Sequence, residues 1–549
     1  MKYILAGLIL SSSLISCAQR DRKEKNTPTP PVTQTPPVTN VQQTKGDYLD
    51  EVLKYVEKMY VDSVNTQQLY EAAIIGMLEQ LDPHTSFIPK SEVDDANRRI
   101  DGSFVGIGIR YQILKDTLMV VETISGGPSE KLGMKAGDKI ITIDGQNVAG
   151  IGLKNAQVRE KLMGELGTIV KVEVKRKTSS KTVNYVITRD RIRENSVECA
   201  YLVAPKIGYI KLNSFSRSTV DEVGKAITEL KAEGMESLIF DLQSNGGGLL
   251  SAAQFLADEF LSSNKLIVYS EGRAQPRQNL TAGKTGKFEV GNLILLTDEN
   301  SASASEILSG AVQDWDRGLI VGRRTYGKGL VQRPIDLSDG SQMRLTIARY
   351  YTPSGRFIQK SYEDKEAYKN DYMRRFMNGE MTNLDSIKLP DSLKFETLIT
   401  KRPVYGGGGI MPDVFVPLDT TELTDFYRDL SGTGIFNSFA LTYVDKNRDD
   451  LNKKYESSEQ FKKDFIVSDK FIKEMIDEAM KDNKDLKMDD KQYQVSKELI
   501  RIRMKATIAN DLFGGEAFYL IYNEKNEILQ KAISILEKND YYNYNLERK

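Results

Sequence analysis

Histidine occurs once in the 549 residues, at His84. A metal centre built on several imidazoles is therefore excluded, and a Ser-His-Asp triad would have to use that one residue. His84 sits in Leu81-Asp82-Pro83-His84-Thr85, a Pro-His turn of a kind that is more often structural than catalytic. Cysteine occurs twice, at Cys17 and Cys199, too few for a disulfide framework. An excess of one charge is also missing. Lys and Arg number 76, Asp and Glu 77, and the net charge is −1, so nothing in the balance points to nucleic acid. The apolar run at residues 4–15 is too short to span a bilayer, and no other stretch reads as a membrane span.

What is present concentrates between residues 293 and 332. Leu293-Ile294-Leu295-Leu296-Thr297 reads as a buried strand, and Asp298-Glu299-Asn300 breaks it. Ser301 to Glu306 lead into an apolar-periodic segment (Ile307, Leu308, Ala311, Val312, Trp315) that reads as a helix. Small residues at a strand-to-helix turn allow close backbone approach and put a side chain beside the free N–H groups of the helix start. Further on, Gly327-Lys328-Gly329 holds a lysine between two glycines. A helix-start serine and such a lysine form either a Ser-Lys pair or an N-capping serine plus a solvated turn lysine, and these residues alone leave both open. A lysine base requires a depressed pKa. Moving it from about 10.4 to near 7 takes roughly 4–5 kcal/mol of differential stabilisation, supplied by burial and hydrogen bonds rather than by a carboxylate.

Along the chain, residues 1–17 read as a targeting segment with a positive start. Residues 18–46, charged and then rich in Pro, Thr, Val and Gln, read as an extended linker. Residues 47–100 are a helical region, with Tyr48, Val52, Tyr55 and Val56 on one face and Leu69, Ala72, Ala73, Met77 and Leu78 on another. Residues 101–190 are rich in strands, with alternation at Val170, Val172 and Val174 and a helix expected over 153–163. Residues 191–418 read as an α/β core. In it, Gly246-Gly247-Gly248 follow a buried strand (237–242) and precede a helix (249–260). Glycines there suit an oxyanion hole and equally a tight turn needing positive φ. A polar stretch at about 360–401 looks like an insertion. Residues 419–549 are charged, lysine-rich and helical by pattern, with apolar stripes that include Ile472, Met475, Ile476 and Ala479, then Leu529, Ala532, Ile533 and Leu536. This domain either packs on the core or mediates assembly, so a homo-oligomer stays open. The sum is a multidomain α+β chain. Four glycines at 406–409 lack the Lys-Ser/Thr of a phosphate loop, and neither a metal nor a cofactor is expected.

The segment Ser301-Ala302-Ser303-Ala304-Ser305-Glu306-Ile307, followed by Thr325-Tyr326-Gly327-Lys328-Gly329-Leu330-Val331-Gln332, resembles the carboxyl-terminal processing peptidases, tail-specific serine proteases that carry a PDZ domain. The resemblance runs from about Asp47 to Pro417. It implies Ser303 as nucleophile with Glu306 as its partner, Lys328 as base at the family spacing of 25 residues, and Gln332 as the residue that orients the base. It also implies an oxyanion hole from the amides of Ala304 and of Gly247 or Gly248, in an α/β core of the crotonase/ClpP-type fold. Phe104 to Ile109 resembles the carboxylate-binding loop of a PDZ domain, with Val105, Gly106, Ile107 and Gly108 as peptide-binding residues. Leu14-Ile15-Ser16-Cys17 resembles the bacterial lipobox, in which Cys17 takes lipid, which leaves Cys199 without a disulfide partner. The implied protein is a serine endopeptidase, lipid-anchored to a membrane of the bacterial cell envelope on its periplasmic side, that cleaves proteins recognised by their C-terminal tails. Two other readings are a crotonase-like acyl-CoA enzyme and a non-catalytic PDZ scaffold. The lipobox and the Ser-Lys pair oppose the first, and the retention of Ser303 and Lys328 opposes the second.

Overall fold

The computed structural model describes residues 43–176, 181–283 and 285–547. The targeting segment with Cys17, and nearly all of the linker, lie outside them. Residues 1–72 and 73–549 separate into two units. The first contains helix α1 (Gln43–Met59) and the start of α2 (Thr66–Leu78). Its Tyr48, Val52 and Tyr55 stripe is exposed, and Tyr70 Oη donates to Asp50 Oδ1 at 3.1 Å.

The second unit opens with β1 (Ser86–Ile88) and α3 (Val93–Asp101), then builds a β-rich domain. Its elements are β2 (Ser103–Gly106), β3 (Ile109–Leu114), β4 (Thr117–Thr123), α4 (Pro128–Lys131), β5 (Lys139–Ile143), β6 (Gln146–Asn147), α5 (Asn155–Leu162), β7 (Ile169–Lys175), β8 (Thr182–Thr188) and β9 (Asp190–Arg193). The sheet order is β3-β4-β5-β7-β8, with β6 on β5, and β2 pairs separately with β9. Period-two alternation does the expected work. Val170, Val172 and Val174 are buried while Lys171 and Lys175 are exposed. The inward faces meet Val158 and Leu162 of α5 in one core. Strand β3 is left at the sheet edge.

The α/β core follows as β10 (Val197–Ala204), β11 (Ile207–Leu212), α6 (Thr219–Ala232), β12 (Ser237–Asp241), α7 (Leu250–Asp258), β13 (Leu266–Gly272), β14 (Gln275–Thr281), β15 (Asn292–Thr297), α8 (Ala304–Asp314), β16 (Leu319–Gly322), β17 (Leu330–Asp336), β18 (Gln342–Tyr351), α9 (Lys365–Lys369), α10 (Asp371–Met377), β19 (Lys394–Glu396), β20 (Pro403–Tyr405) and β21 (Val414–Phe415). The main sheet runs β10-β11-β12-β15-β16-β21 and is parallel from β11 onward. Its central strands are continuous apolar runs, as a sheet covered on both faces requires. One face, with Leu238, Phe240, Leu293 and Leu295, packs on α6, α7 and α8. The smaller sheet runs β1-β18-β13-β14, with β17 also on β18. Because β12 and β15 are parallel neighbours, their C-terminal ends lie side by side. That places the glycine loop 243–248 against the turn that carries Ser303.

The remaining helices are α11 (Asp425–Gly432), α12 (Ile435–Lys454), α13 (Ser458–Asp464), α14 (Asp469–Asp482), α15 (Asp490–Phe513), α16 (Gly515–Tyr522) and α17 (Glu527–Glu537). Helices α11 to α16 share their own core. Helix α17 does not join it. Its Ile528, Leu529, Ala532, Ile535 and Leu536 stripe covers the second face of the main sheet, against Tyr209, Ile239, Ile294, Leu319 and Val321. The segment read from sequence as one domain, 419–549, therefore divides. The reason is that the alternate residues of β11, β12, β15 and β16 present a second apolar face that needs a cover. Each fully buried Leu or Ile there contributes about 1.5–3 kcal/mol over leaving it in water.

Candidate active site

Ser303 caps α8 with φ 57° and ψ −111°, a left-handed conformation that costs a non-glycine residue about 1–3 kcal/mol. The helix it caps is buried along its whole length, so the turn is pinned from behind. Four hydrogen bonds hold the strained residue. Its N–H donates to Glu306 Oε2 at 2.8 Å. Its carbonyl accepts from the amides of Glu306 and Ile307 at 2.9 and 3.0 Å and from Tyr350 Oη at 3.1 Å. Only the Ser303 side of the turn is partly open; Ala304, Ser305 and Glu306 are fully buried. The flanking serines are occupied otherwise. Ser301 Oγ donates to Leu242 O at 2.8 Å and Ser305 Oγ to Asn245 O at 2.9 Å.

Glu306 organises the site through backbone rather than through the lysine ammonium. Its Oε1 accepts from Thr325 Oγ1 at 2.6 Å and from the Gly327 amide at 2.7 Å, while Oε2 accepts from the amides of Ser303 and Lys328 at 2.8 and 2.9 Å. One carboxylate thus ties the Ser303 turn to the lysine loop. Burial pushes this carboxyl above its ordinary range, and the same four donors work against that shift.

Lys328 is half-buried, and its Nζ donates to Gln332 Oε1 at 2.8 Å. Among the described residues no hydrogen bond joins Nζ to Ser303 Oγ. Burial lowers the ammonium pKa; the Glu306 charge opposes this and the Arg344 charge adds to it. Of the two residues expected to hold the lysine side chain, Gln332 does so and Glu306 holds the lysine's amide. Gln332 is fixed in turn, because its Nε2 donates to the carbonyl of His84. The one histidine therefore enters the site through its backbone. Its ring meets Tyr368 Oη at 2.7 Å, and its pKa is pushed down to about 4, first by burial and then by the Lys328 charge. It is neutral at pH 7. Asp82 positions the segment by accepting from the amides of His84 and Thr85 at 2.8 and 3.0 Å and from Thr346 Oγ1 at 3.1 Å.

The glycine loop corrects one expectation. The Gly247 amide donates to Asn245 Oδ1 at 2.9 Å, so it is not the free donor that an oxyanion hole needs. Gly247 instead supplies close approach. A Cβ there would lie 2.7 Å from Ala302 O and 2.9 Å from both Ala304 N and Ser303 Cβ. Gly248 is as tightly placed, since a Cβ would lie 2.1 Å from Phe215 O. The amides of Ala304 and Gly248 have no acceptor among the described residues.

The stretch 360–401, read as an insertion, is a wall of this site. Arg375 donates through Nη1 to Thr325 O at 3.1 Å and through Nη2 to Arg324 O. Glu380 pairs with Arg375 at 2.8 Å and with Arg324 at 2.7 Å. Lys360 Nζ bonds Asp371 at 3.0 Å and lies 3.7 Å over the Tyr326 ring. Sequence reasoning missed this wall, as well as Thr325, Asn245 and Tyr350. Tyr350 Oη bridges the carbonyls of Ser303 and Lys328.

In the β-rich domain, Val105 and Gly106 lie in β2, in register with Arg191 and Asp190. Ile107 and Gly108 make the turn into edge strand β3. The Ile107 carbonyl accepts from Ser129 Oγ at 2.6 Å, and the Gly108 carbonyl accepts from the Ile124 amide at 2.9 Å. The amides of Ile107 and Gly108 have no acceptor among the described residues. They border a groove of about 170 Å³ between β3 and α5, lined by Ile109, Tyr111, Leu162 and Met163 among others.

Residues 206–365 match Peptidase family S41, residues 105–187 match the PDZ domain, and residues 426–514 match a family of unknown function (DUF8443). A carboxy-terminal-processing protease of Bartonella bacilliformis is 34% identical over 365 residues, which are 65% of this chain and 79% of that protein. The carboxy-terminal processing protease CtpB of Bacillus subtilis is 30% identical over 57% of this chain and 65% of its own length, so the chain spans just under two thirds of that relative. A solved photosystem II D1 C-terminal processing protease is 32% identical, covering 56% of this chain and 88% of that one, with a TM-score of 0.32.

Proposed function

Because the chain belongs to the carboxy-terminal processing proteases of peptidase family S41 and is a serine-type peptidase, we propose that Ser303 and Lys328 carry out its chemistry. Ser303 Oγ attacks the scissile carbonyl while neutral Lys328 Nζ takes its proton. The amides of Ala304 and Gly248 receive the oxyanion. The Lys328 ammonium then protonates the departing amine. Water, deprotonated by the once more neutral Lys328 Nζ, attacks the acyl-enzyme, and the Lys328 ammonium returns the proton to Ser303 Oγ as the new carboxyl terminus leaves. Lys328 has to share or leave its bond to Gln332 for the first transfer, a tightening that substrate-free sites commonly await. The observation that carries this reading is the Glu306 carboxylate. Its bond to the Ser303 amide is half of a capping box, but it also gathers the amides of Gly327 and Lys328, which neither a plain helix cap nor a solvated turn lysine needs.

The PDZ domain selects the substrate by its free carboxyl terminus, to which the Ile107 and Gly108 amides donate while the tail adds along β3. An amidated tail places donors against donors, at about 1–3 kcal/mol, or roughly tenfold to a hundredfold in affinity. Peptides ending in alanine, valine or leucine should therefore be cut faster as free acids than as amides, below saturation. Equal rates would remove tail recognition from the account.

Lipid on Cys17 then tethers the enzyme to a membrane of the bacterial envelope, on the periplasmic side, with residues 18–46 as spacer. Cys17→Ser should abolish labelling by a fatty-acid analogue and leave unprocessed precursor. A label retained at full intensity would end the lipoprotein reading.

A further inference from the structure

A second cavity, of about 640 Å³, opens between the β13–β14 hairpin and β18. It sits where β18 changes partners, between Arg344, in register with β1, and Arg349, in register with β13. Its floor includes Leu330 and Ala348, and its rim carries Arg273, Arg277 and Arg349 against a single acid, Glu271. The cavity is close to the chemistry. Arg349 pairs with Leu330, two residues beyond Lys328, and Thr346 pairs with Gln332. Two residues of extended chain span roughly 7 Å.

The three arginines differ from five others of the core, while Arg317 and Arg344, which also lack a carboxylate, spend their donors on Phe260 O, Gly291 O and Phe288 O and on Ala96 O and Asn97 Oδ1. Arg323, Arg324, Arg356, Arg375 and Arg402 each pair with a carboxylate. Among the described residues, Arg273, Arg277 and Arg349 pair with none. They are exposed, yet two of them are held. The Arg277 guanidinium lies 3.7 Å over the Tyr269 ring, and its Nε donates to Asn279 Oδ1 at 3.0 Å. Arg349 lies 5.6 Å from the Phe357 ring. Tyr269 stacks on Tyr351 at 4.8 Å and 9°, and Tyr351 meets Phe357 at 5.3 Å. An aromatic platform therefore presents guanidinium groups whose remaining donors face a cavity. Such a fork suits a carboxylate bidentately, and holding it in place in advance lowers the entropy lost on binding.

We propose that this cavity is a substrate subsite that takes an acidic side chain, aspartate or glutamate, from the segment of the substrate beside the scissile bond. The proposal rests on the Ser303–Lys328 reading for the position of that bond. The enzyme would then read two features of one chain, a free apolar terminus in the PDZ groove and an acid near the cut.

The test uses the full chain and a set of free-acid peptides with one tail and one cleavage sequence. Aspartate or glutamate is moved singly through the positions flanking the bond, each against asparagine or glutamine. At one or two positions the acid should raise kcat/KM roughly five- to twentyfold over its amide, with the advantage shrinking at high salt. In R273Q/R277Q/R349Q the acid-to-amide ratio should fall to about one, and Arg349→Glu should invert it in favour of lysine at the same position. Because each readout is a ratio within one enzyme preparation, partial misfolding does not produce it. An acid preference that survives the triple substitution, or no acid preference at any position, overturns the subsite. An advantage that vanishes on amidating the peptide's end overturns it too, by assigning the arginines to the terminal carboxylate. Cleavage of the amide peptides, abolished by Ser303→Ala, reports separately on the catalytic reading.

Discussion

Ser303→Ala and Lys328→Ala should each lower kcat/KM on an unfolded protein substrate by at least 10²–10⁴-fold, and the double variant should be scarcely worse than either single one. Non-additivity is expected because nucleophile and base act in one step, so removing either removes the step. Lys328→Arg should fail as badly as Lys328→Ala, since a guanidinium stays charged and cannot accept the proton. Ser301→Ala and Ser305→Ala should retain most activity, because their hydroxyls are spent on Leu242 O and Asn245 O. His84→Ala should cut at near the parent rate if folded, since the site uses the carbonyl of His84 and not its ring. Activity should rise with pH through the depressed Lys328 pKa. The sign for stability is the same. Between the lowered native value and the ordinary lysine value the unfolded chain binds the extra proton, so raising pH across that window stabilises the fold, and lowering pH below the native value removes the dependence. An active Lys328→Arg enzyme, or a double variant much worse than both singles, would sink the pair.

Glu306→Gln should be nearly inactive, with a loss on the order of a hundredfold or more in kcat/KM, although it changes no group that touches substrate. The carboxylate accepts four hydrogen bonds, two at each oxygen. A glutamine keeps one acceptor oxygen and turns two donors towards a pair of donors. Either Ser303 N and Lys328 N lose their partner, or Thr325 Oγ1 and Gly327 N do. Each buried donor left unmatched costs about 1–3 kcal/mol. That is comparable to the strain at Ser303, so the turn relaxes out of φ 57° and the nucleophile moves. Glu306→Ala leaves all four unmatched and should lower Tm further. The split between the two variants is diagnostic. Circular dichroism should show Glu306→Gln folded, and a fluorophosphonate probe should label its Ser303 far more slowly than the parent's. Normal labelling with normal turnover would show that the clamp is dispensable.

The strands, the helix after Ser303 and the split between β-rich domain and core were legible because period and burial are local properties of sequence. Ser303 and Lys328 were singled out by the resemblance of two motifs at one spacing, since their residues alone left an N-capping serine and a solvated turn lysine open as well. What was illegible came from afar or from the backbone. The carbonyl of His84 reaches Gln332 across 248 residues, and no side-chain pattern marks a carbonyl. Gly247 looked like an oxyanion donor because glycine loops often are. The Asn245 side chain took that amide, and only coordinates show which way an N–H points. The 360–401 stretch read as an insertion because its apolar content is low. Its contribution is charged, through Arg375 and Glu380, and charged residues are ordinarily assigned to solvent. The end of the 419–549 segment left packing on the core and assembly both open for a related reason. A helical stripe announces that it is buried without saying against what.

That last stripe sets an order in time. The strand that delivers Ser303 has one face on α8 and the other under α17 and Tyr541, whose hydroxyl accepts from the Leu293 amide across 248 residues. A ribosome adding about 5–20 residues per second needs roughly 12–50 s to cover that distance. Once Lys328 has been made, 541 − 328 = 213 of those residues are still to come, so the Ser303 strand, its helix and the lysine loop exist while the sheet beneath them has one bare apolar face. The growing chain thus carries Ser303 and Lys328 well before the second face of their sheet is covered by α17 and Tyr541.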